Sequence, residues 1–223
     1  MSGYSFDFFY VLNGFSRLLQ GLIVSLELTA IVVGIGTFSG FVLALATSSR
    51  SLFLSVPTRL FVEIFRCTPA LIQIVWFFYC LPVLADVFWP PFTMGVIALT
   101  LNLTAFNSEA YRAAIQAIPA AQRDASIALG LSRWHQAIHV VFPQVLRIAS
   151  PVLVSNSISL FQQSSLVAIV SVEDLMYQGK LLAVQTYRPI ETFTIVALIY
   201  FGLSFPISQL VGRIERYNAR LLA

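Results

Sequence analysis

Two charges stand out because they interrupt apolar stretches: Arg66 in Phe65-Arg66-Cys67-Thr68-Pro69, and Glu109 in Ser108-Glu109-Ala110-Tyr111-Arg112. A guanidinium offers a planar fork that takes a carboxylate through two parallel hydrogen bonds. A carboxylate such as Glu109 attracts an ammonium in turn. The other use of such charges is mutual, with Arg66 pairing to Glu63 or Glu109 and only holding segments together. Thr68-Pro69 follows Arg66 directly, and a proline inside a helix lacks a backbone donor and kinks the chain. A third polar group is the series Ser155, Asn156, Ser157, Ser159, Gln162, Gln163, Ser164 and Ser165. On a helix, Ser155, Ser159 and Gln162 share one side, as do Asn156 and Gln163. Small polar residues also serve as glue between helices in a membrane, but the two glutamines are bulkier than packing needs and read as the lining of a polar path.

The elements that must carry these residues are set by composition. The chain has 223 residues, 58% hydrophobic and 10% charged, with a mean hydropathy of +0.83. A soluble domain carries about 25% charged residues, so water is not the main solvent. A helix crosses the hydrocarbon core with about 20 mostly apolar residues. Segments 22–46, 60–84, 92–115, 146–172 and 190–211 meet that requirement. They predict an all-α integral membrane protein, a single transmembrane domain over 1–223 with five spans. Helices are favoured because open strands leave backbone groups unpaired in lipid. Charges within a span cost at least ~2.5–3.5 kcal/mol each. Arg66 falls about seven residues into the second segment, roughly 10 Å along a helix axis. Glu27 falls near an end of the first and is expected to snorkel.

The connections are 47–59, a polar turn; 85–91, containing Trp89-Pro90-Pro91; 116–145, long and helix-prone; and 173–189, a moderate loop. Basic residues mark the cytoplasmic side of a membrane protein. With five crossings, Arg50, Arg59, Arg123, Arg133, Arg147, Arg213, Arg216 and Arg220 fall on one side, against Arg17, Lys180 and Arg188 on the other. The N-terminus is therefore expected outside, and the C-terminus and the 116–145 loop inside. The start of the chain, Met1 to Tyr10, lacks a basic region followed by a cleavage site and reads as no removable signal peptide.

Several chemistries lose support at this level. The net charge of +3 is spread out, which does not suggest nucleic acid. Cys67 and Cys80 read as packed thiols rather than a disulfide or metal site. His135 and His139 sit one turn apart, but such pairs are more often solvated than ligands. These are the only histidines and lie in the polar loop, so an intramembrane Ser–His or H-E-x-x-H protease is not supported. A phosphate-binding G-x-x-x-x-G-K-[ST] loop is missing from the sequence, so ATP hydrolysis is expected elsewhere.

The long loop is the most informative stretch. Pro119 suits the first turn of a helix, Gln122 to Leu129 are good helix formers, and Gly130 suits a left-handed cap. Ser132 is placed to cap a second short helix, and Pro143 punctuates the start of the fourth span. Such a surface helix can dock into a groove on a soluble partner. The stretch resembles the conserved loop of ATP-binding-cassette (ABC) importer permeases, written E-A-A, three residues, G, nine residues, I-x-L-P. Asp124-Ala125-Ser126 stand for E-A-A, Gly130 for G, Val140 for I, Phe142 for L and Pro143 for P, without a gap.

The resemblance runs along nearly the whole chain. Gly21-Leu22-Ile23-Val24-Ser25-Leu26-Glu27-Leu28-Thr29 looks like the first span of polar amino-acid permeases. Residues 65–73 are similar to F-R-G-T-P-L-L-V-Q, and residues 108–115 to S-E-A-Y-R-A-G-I. Gln162-Gln163-Ser164-Ser165-Leu166 aligns with K-D-T-S-L of many relatives, and with Phe161 before it resembles the F-Q-D-T-S-L of the glutamate/aspartate branch. The chain is identified as a member of the histidine/glutamine/glutamate permease group. That resemblance implies a type I importer permease fold in the bacterial inner membrane, with no enzymatic activity and no cofactor of its own. Implied partners are ATPase subunits carrying ATP-Mg, a second permease subunit, identical or related, and a periplasmic amino-acid-binding protein. The substrate would be an amino acid, polar or acidic. Arg66, Thr68, Pro69, Glu109, Gln162, Gln163 and Ser164 are the substrate candidates. Asp124, Ala125, Ser126, Gly130, Leu131 and Ser132 are the ATPase-coupling candidates. An ion-gradient-driven secondary transporter is the alternative, disfavoured by a short chain without evident internal repeats.

Overall fold

Where these helices start and break follows from prolines, hydroxyls and caps. The computed structural model describes residues 6–49 and 51–222, with side chains for all of these except Arg123, Arg133 and 214–222. Arg50 therefore lies outside the described residues, as do the side chains of Arg123, Arg133, Arg216 and Arg220. In chain order the helices are α1 (Phe9–Asn13), α2 (Phe15–Thr47), α3 (Leu52–Cys67), α4 (Ala70–Ala85), α5 (Pro91–Gln116), α6 (Ala120–Ala128), α7 (Trp134–Val170), α8 (Leu175–Thr186) and α9 (Pro189–Leu222). No strand occurs among the described residues. A π-helical turn interrupts α4 at Trp76–Cys80 and another opens α7 at Ala137–Val141. A tight 3₁₀ stretch, Ser164–Val170, closes α7.

Among the described residues, α2, α7 and Pro189–Arg213 of α9 are each long and apolar enough to cross a membrane. Taken as one interrupted span, α3 and α4 make a fourth. The 26-residue α5 is about 39 Å long at 1.5 Å per residue. Its Asn102, Asn107, Glu109 and Arg112 lower its apolarity and keep it out of that set.

Three boundaries differ from the sequence reading. Helix α2 begins at Phe15 rather than 22, so Glu27 lies more than three turns inside it, exposed, rather than near an end. Helix α3 begins at Leu52 rather than 60 and absorbs most of the expected polar turn. The expected loop 173–189 holds the 12-residue helix α8, capped by Asp174, whose Oδ1 accepts from the Tyr177 amide at 2.9 Å. An apolar stretch marks what lipid tolerates, whereas a helix continues until a cap or proline stops it. Cys67 and Cys80 are free thiols as expected, but both are exposed on this chain rather than packed.

The chain divides into two compact units. The first comprises Met1–Val33, Pro69–Thr100 and Ile158–Ile207; the second comprises Gly34–Thr68, Leu101–Ser157 and Ser208–Ala223. In the first unit, Val11, Leu18, Leu175, Leu182 and Val196 form a buried cluster, extended by Phe15, Leu22 and Met176. Close approach of α2 and α8 depends on Gly21, where a Cβ atom would fall 2.7 Å from the carbonyl oxygen of Asp174. In the second unit, the core is Ala44, Tyr111, Ala114, Ile118, Val145 and Ala149. The Phe41 ring packs edge-on against Tyr111 and Phe142, with centroids 5.3 and 5.4 Å away, a favoured aromatic geometry.

Candidate functional site

The break after Arg66 is built from three residues. Thr68 and Pro69 are both extended, at φ/ψ of −109°/139° and −61°/136°. In an unbroken helix the Phe65 carbonyl would accept from the amide at position 69, which proline lacks. The Asn102 side-chain amide on α5 donates to that carbonyl instead, at 3.2 Å. The Thr68 hydroxyl donates to the Ile64 carbonyl at 2.8 Å. A similar substitution serves Pro151 within α7, where the Ser150 hydroxyl donates to the Arg147 carbonyl at 3.0 Å. The kink read from sequence at Thr68-Pro69 thus has a side-chain donor for its orphaned carbonyl, and Pro151, which the sequence reading did not single out, has one too.

Arg66 occupies the last turn of α3, where a cation complements the helix dipole. Its guanidinium lies over the Phe106 ring, 5.8 Å from the centroid, within cation–π reach. Neither expected ion pair forms. Glu109 is held on its own helix by Arg112, whose Nε and Nη2 donate to its two carboxylate oxygens. Glu63 accepts only a long contact from the Cys67 thiol, 3.7 Å away. Arg66 makes no ion pair among the described residues.

Two cavities of the second unit meet at Glu109. One, of about 440 Å³, is lined by Arg66, Phe106, Glu109, Val152, Asn156 and alanines of α5. The other, of about 1060 Å³, is lined by Thr47, Arg59, Glu63, Glu109, Arg112 and Gln116, among others. Behind the first runs a hydrogen-bonded chain: Asn156 donates to Asn107 at 3.0 Å, and Asn107 donates to Thr37 at 3.4 Å. This fixes the amide side chains of α5 and α7 that face α2. Chemically, the smaller cavity offers an open cation, an aromatic face, a carboxylate and an amide, which together suit a small zwitterion.

Of the other sequence candidates, Gln162 is exposed and Gln163 partly so, and Ser164 is buried with its hydroxyl donated to the Phe161 carbonyl at 2.8 Å. These three and Pro69 belong to the first unit, whereas Arg66, Thr68 and Glu109 belong to the second. Gln162 and Gln163 do not line the Arg66 cavity.

The loop candidates form one closed motif. Helix α6 ends with Gly130 at φ +71°. The Leu131 amide donates to the Ser126 carbonyl at 3.2 Å and the Gly130 amide to the Ile127 carbonyl at 2.9 Å. This crossed pair is the Schellman cap, and its left-handed residue is glycine because a Cβ is disfavoured there. Ser132 then accepts from the His135 amide at 3.4 Å and contacts the His135 ring nitrogen at 2.8 Å. Asp124 and Ala125 are exposed and Ser126 is buried. The histidine rings stack 5.7 Å apart. Among the described residues no group of three or more metal-ligating side chains occurs.

With that geometry in place, comparison with known proteins is decisive. Residues 32–218 match the model of the binding-protein-dependent transport system inner membrane component family. The chain belongs to that family. Among its relatives is the arginine ABC transporter permease protein ArtQ of Haemophilus influenzae, 32% identical over 200 residues, spanning 87% of this chain and 89% of the relative. The glutamate/aspartate import permease protein GltK of Escherichia coli O157:H7 is 28% identical over 231 residues, spanning 97% and 100%. A crystal structure of an amino acid ABC transporter with histidines superposes with a TM-score of 0.89 at 30% identity, covering 96% of this chain and all of the other. An inward-facing MetNI methionine ABC transporter gives 0.76 at 20% identity, which speaks for the fold alone.

The permease thus has the all-helical fold of type I ABC importers, and it is a transport component of the polar amino-acid group rather than a catalyst. Sequence reasoning missed several features of its sites. Ile127, Leu129 and Trp134 expose 62%, 79% and 71% of their surface around the capped loop. Their apolar character within a polar loop was the available signal. Arg112 was visible only as part of a motif, and its i, i+3 spacing from Glu109 was the clue to their pairing.

Proposed function

We propose that the permease is the translocation subunit of an ATP-driven importer of amino acids, polar or acidic, across the bacterial inner membrane. The observation that carries this reading is the Schellman-closed end of α6 and the turn into α7, where Ile127, Leu129 and Trp134 stand in the open. Large exposed apolar side chains on a rigid, capped loop mark a docking surface. Their partner in this reading is an ATPase subunit carrying ATP-Mg, to which Asp124, Ala125, Ser126, Gly130, Leu131 and Ser132 couple the spans. The chain crosses five times, with the N-terminus periplasmic and the C-terminus and α6 cytoplasmic, as the arginine distribution supports. A second permease subunit, identical or related, completes the pathway, and a periplasmic binding protein delivers the substrate.

The substrate carboxylate goes to Arg66 and its ammonium to Glu109, in the cavity they share with Asn156. The helix break at Thr68-Pro69 positions Arg66 there. In the first unit Gln162 and Gln163 are left to line a polar path, neutral where many relatives carry Lys-Asp, while Ser164 is buried with its hydroxyl given to Phe161. Relatives named for arginine, glutamate/aspartate and octopine define the panel of substrates to try.

Gly130→Glu tests the reading. A side chain at φ +71° is strained and its charge would face the partner. The variant is expected to insert normally, to lose co-purification with the ATPase, and to lose uptake. Normal uptake by this variant would rule out α6 as the coupling element. A thiol probe at Val184 is expected to react with an impermeant reagent from the periplasm, and one at Ser132 is not; the reverse pattern would invert the orientation.

A further inference from the structure

Asp174 lies in the connection between α7 and α9, yet it is wholly buried. While its Oδ1 caps α8, its Oδ2 has no hydrogen-bond partner among the described residues. The same is true of the buried hydroxyl of Tyr200 on α9. The two groups are neighbours, close enough to interact, and Ser25 of α2 and Ser164 of α7 adjoin the Tyr200 hydroxyl. Ser25 Oγ accepts from the Leu175 amide at 3.1 Å and keeps its own hydrogen. Ser164 has given its hydrogen to Phe161 and keeps its lone pairs. Two buried orphan atoms side by side are costly, since each forfeits its bonds to water.

One added proton resolves this arrangement. A protonated Asp174 donates through Oδ2 to the Tyr200 oxygen, and Tyr200 donates onward to Ser164. Without the proton, Tyr200 can donate to Oδ2 instead, but the carboxylate stays buried with no cation against it among the described residues. On α2, Arg17 is engaged by Gln185 at 2.6 Å and Glu27 is exposed. On α8, Lys180 is exposed, and Tyr177 contributes its backbone amide to Asp174. Beside α9, Glu191 is held by Arg188 at 3.4 Å and by the Asp7 amide at 3.0 Å. Glu173 is exposed, and α7 places the neutral Ser164 at the site.

We propose that Asp174, Tyr200, Ser25 and Ser164 form a buried proton-binding site that fastens α8 to α9, and that α8 is held less firmly once the proton leaves. Burial pushes the Asp174 carboxyl up to about 6, against the Tyr177 and Met176 amides and Tyr200, which pull it down. A carboxyl raised in the folded state favours its proton there. The stabilisation is full below the ordinary carboxylate range and is lost as pH rises through about 6.

The test is hydrogen exchange of the α8 amides in the assembled transporter in lipid nanodiscs, corrected for intrinsic exchange. Between about pH 5 and about pH 7.5, linkage predicts an approximately tenfold loss of protection. Asp174→Asn still caps α8 and can donate, so its protection is expected to match at both pH values. Tyr200→Phe removes a partner from both states, and the bond lost to the charged carboxylate is the stronger one, so the midpoint of the response is expected to move up. PH-independent protection in the wild type, or an unchanged response in Asp174→Asn, would overturn the proposal. If Asp174→Asn does not assemble, the wild-type response together with the Tyr200→Phe midpoint decides: no response or no upward shift rejects the site.

Discussion

Glu109 stands in the wall of two cavities with Arg112 gripping both its oxygens, whereas Asp174 is sealed from solvent with one oxygen capping a helix and the other unpartnered. Each acid belongs to a different unit of the chain. The contrast shows two ways to keep a carboxylate away from bulk water. Glu109 has a cation on its own helix, so its charge is neutralised yet remains reachable from the cavity side. Asp174 has only dipoles around it, so a proton must do the neutralising. The first arrangement suits exchange with a charged solute, and the second suits holding an element in place.

The largest effect should come from the cavity side. Arg66→Gln is expected to lower uptake at least tenfold with assembly intact, and Arg66→Lys to behave similarly because it loses the planar fork. Near-normal uptake by Arg66→Lys, measured in vesicles, would leave Arg66 a structural charge. Because Glu109 pairs with Arg112, the charge-neutral control is Glu109→Gln with Arg112→Gln. That double variant should assemble better than Glu109→Gln alone, which strands a cation; equal yields from the two would break the assigned pairing.

Asp174 comes next. A carboxyl moved from 3.8 to about 6 makes the first unit on the order of 3 kcal/mol less stable above the upper value than below the lower one. Thermal melts of the assembled complex should therefore fall between about pH 5 and about pH 7, and Asp174→Asn should remove that share of the fall. A smaller loss, about 1 kcal/mol, is expected for Asn102→Ala, which deletes the donor standing in for Pro69. The smallest concerns left-handed residues. Gly130→Ala should cost roughly 1 kcal/mol locally, while Ser171→Gly, at φ +62°, should gain up to about that amount. Protease susceptibility around α6 and melting of the first unit would register these.

Much of this was legible in the sequence because the relevant forces are local. The Gly130 cap, the kink at Thr68-Pro69 and the helix over most of 122–129 each follow from backbone chemistry within a few residues. The apolar segments at 22–46, 146–172 and 190–211 were visible for the same reason. What escaped depended on contacts distant in sequence or on competition between partners. Arg66 and Glu109 looked like a pair because both are charges in apolar runs, but Arg112 was closer to Glu109 along its own helix. Helix α8 was read as a loop because its polar residues hide a period fixed by burial against Leu18, Val196 and Gly21. Asp174 was passed over inside the expected loop, and nothing in its neighbours announced Tyr200, twenty-six residues on.

The most direct measurement is uptake into proteoliposomes containing the permease, its ATPase and a second permease subunit, with binding protein outside and ATP inside. A panel of radiolabelled amino acids should include arginine, glutamate and glutamine. The expected result is accumulation of at least one of them that requires ATP, the ATPase and the binding protein together, and that disappears in Gly130→Glu. Accumulation driven by an ion gradient across liposomes containing this chain alone would contradict it.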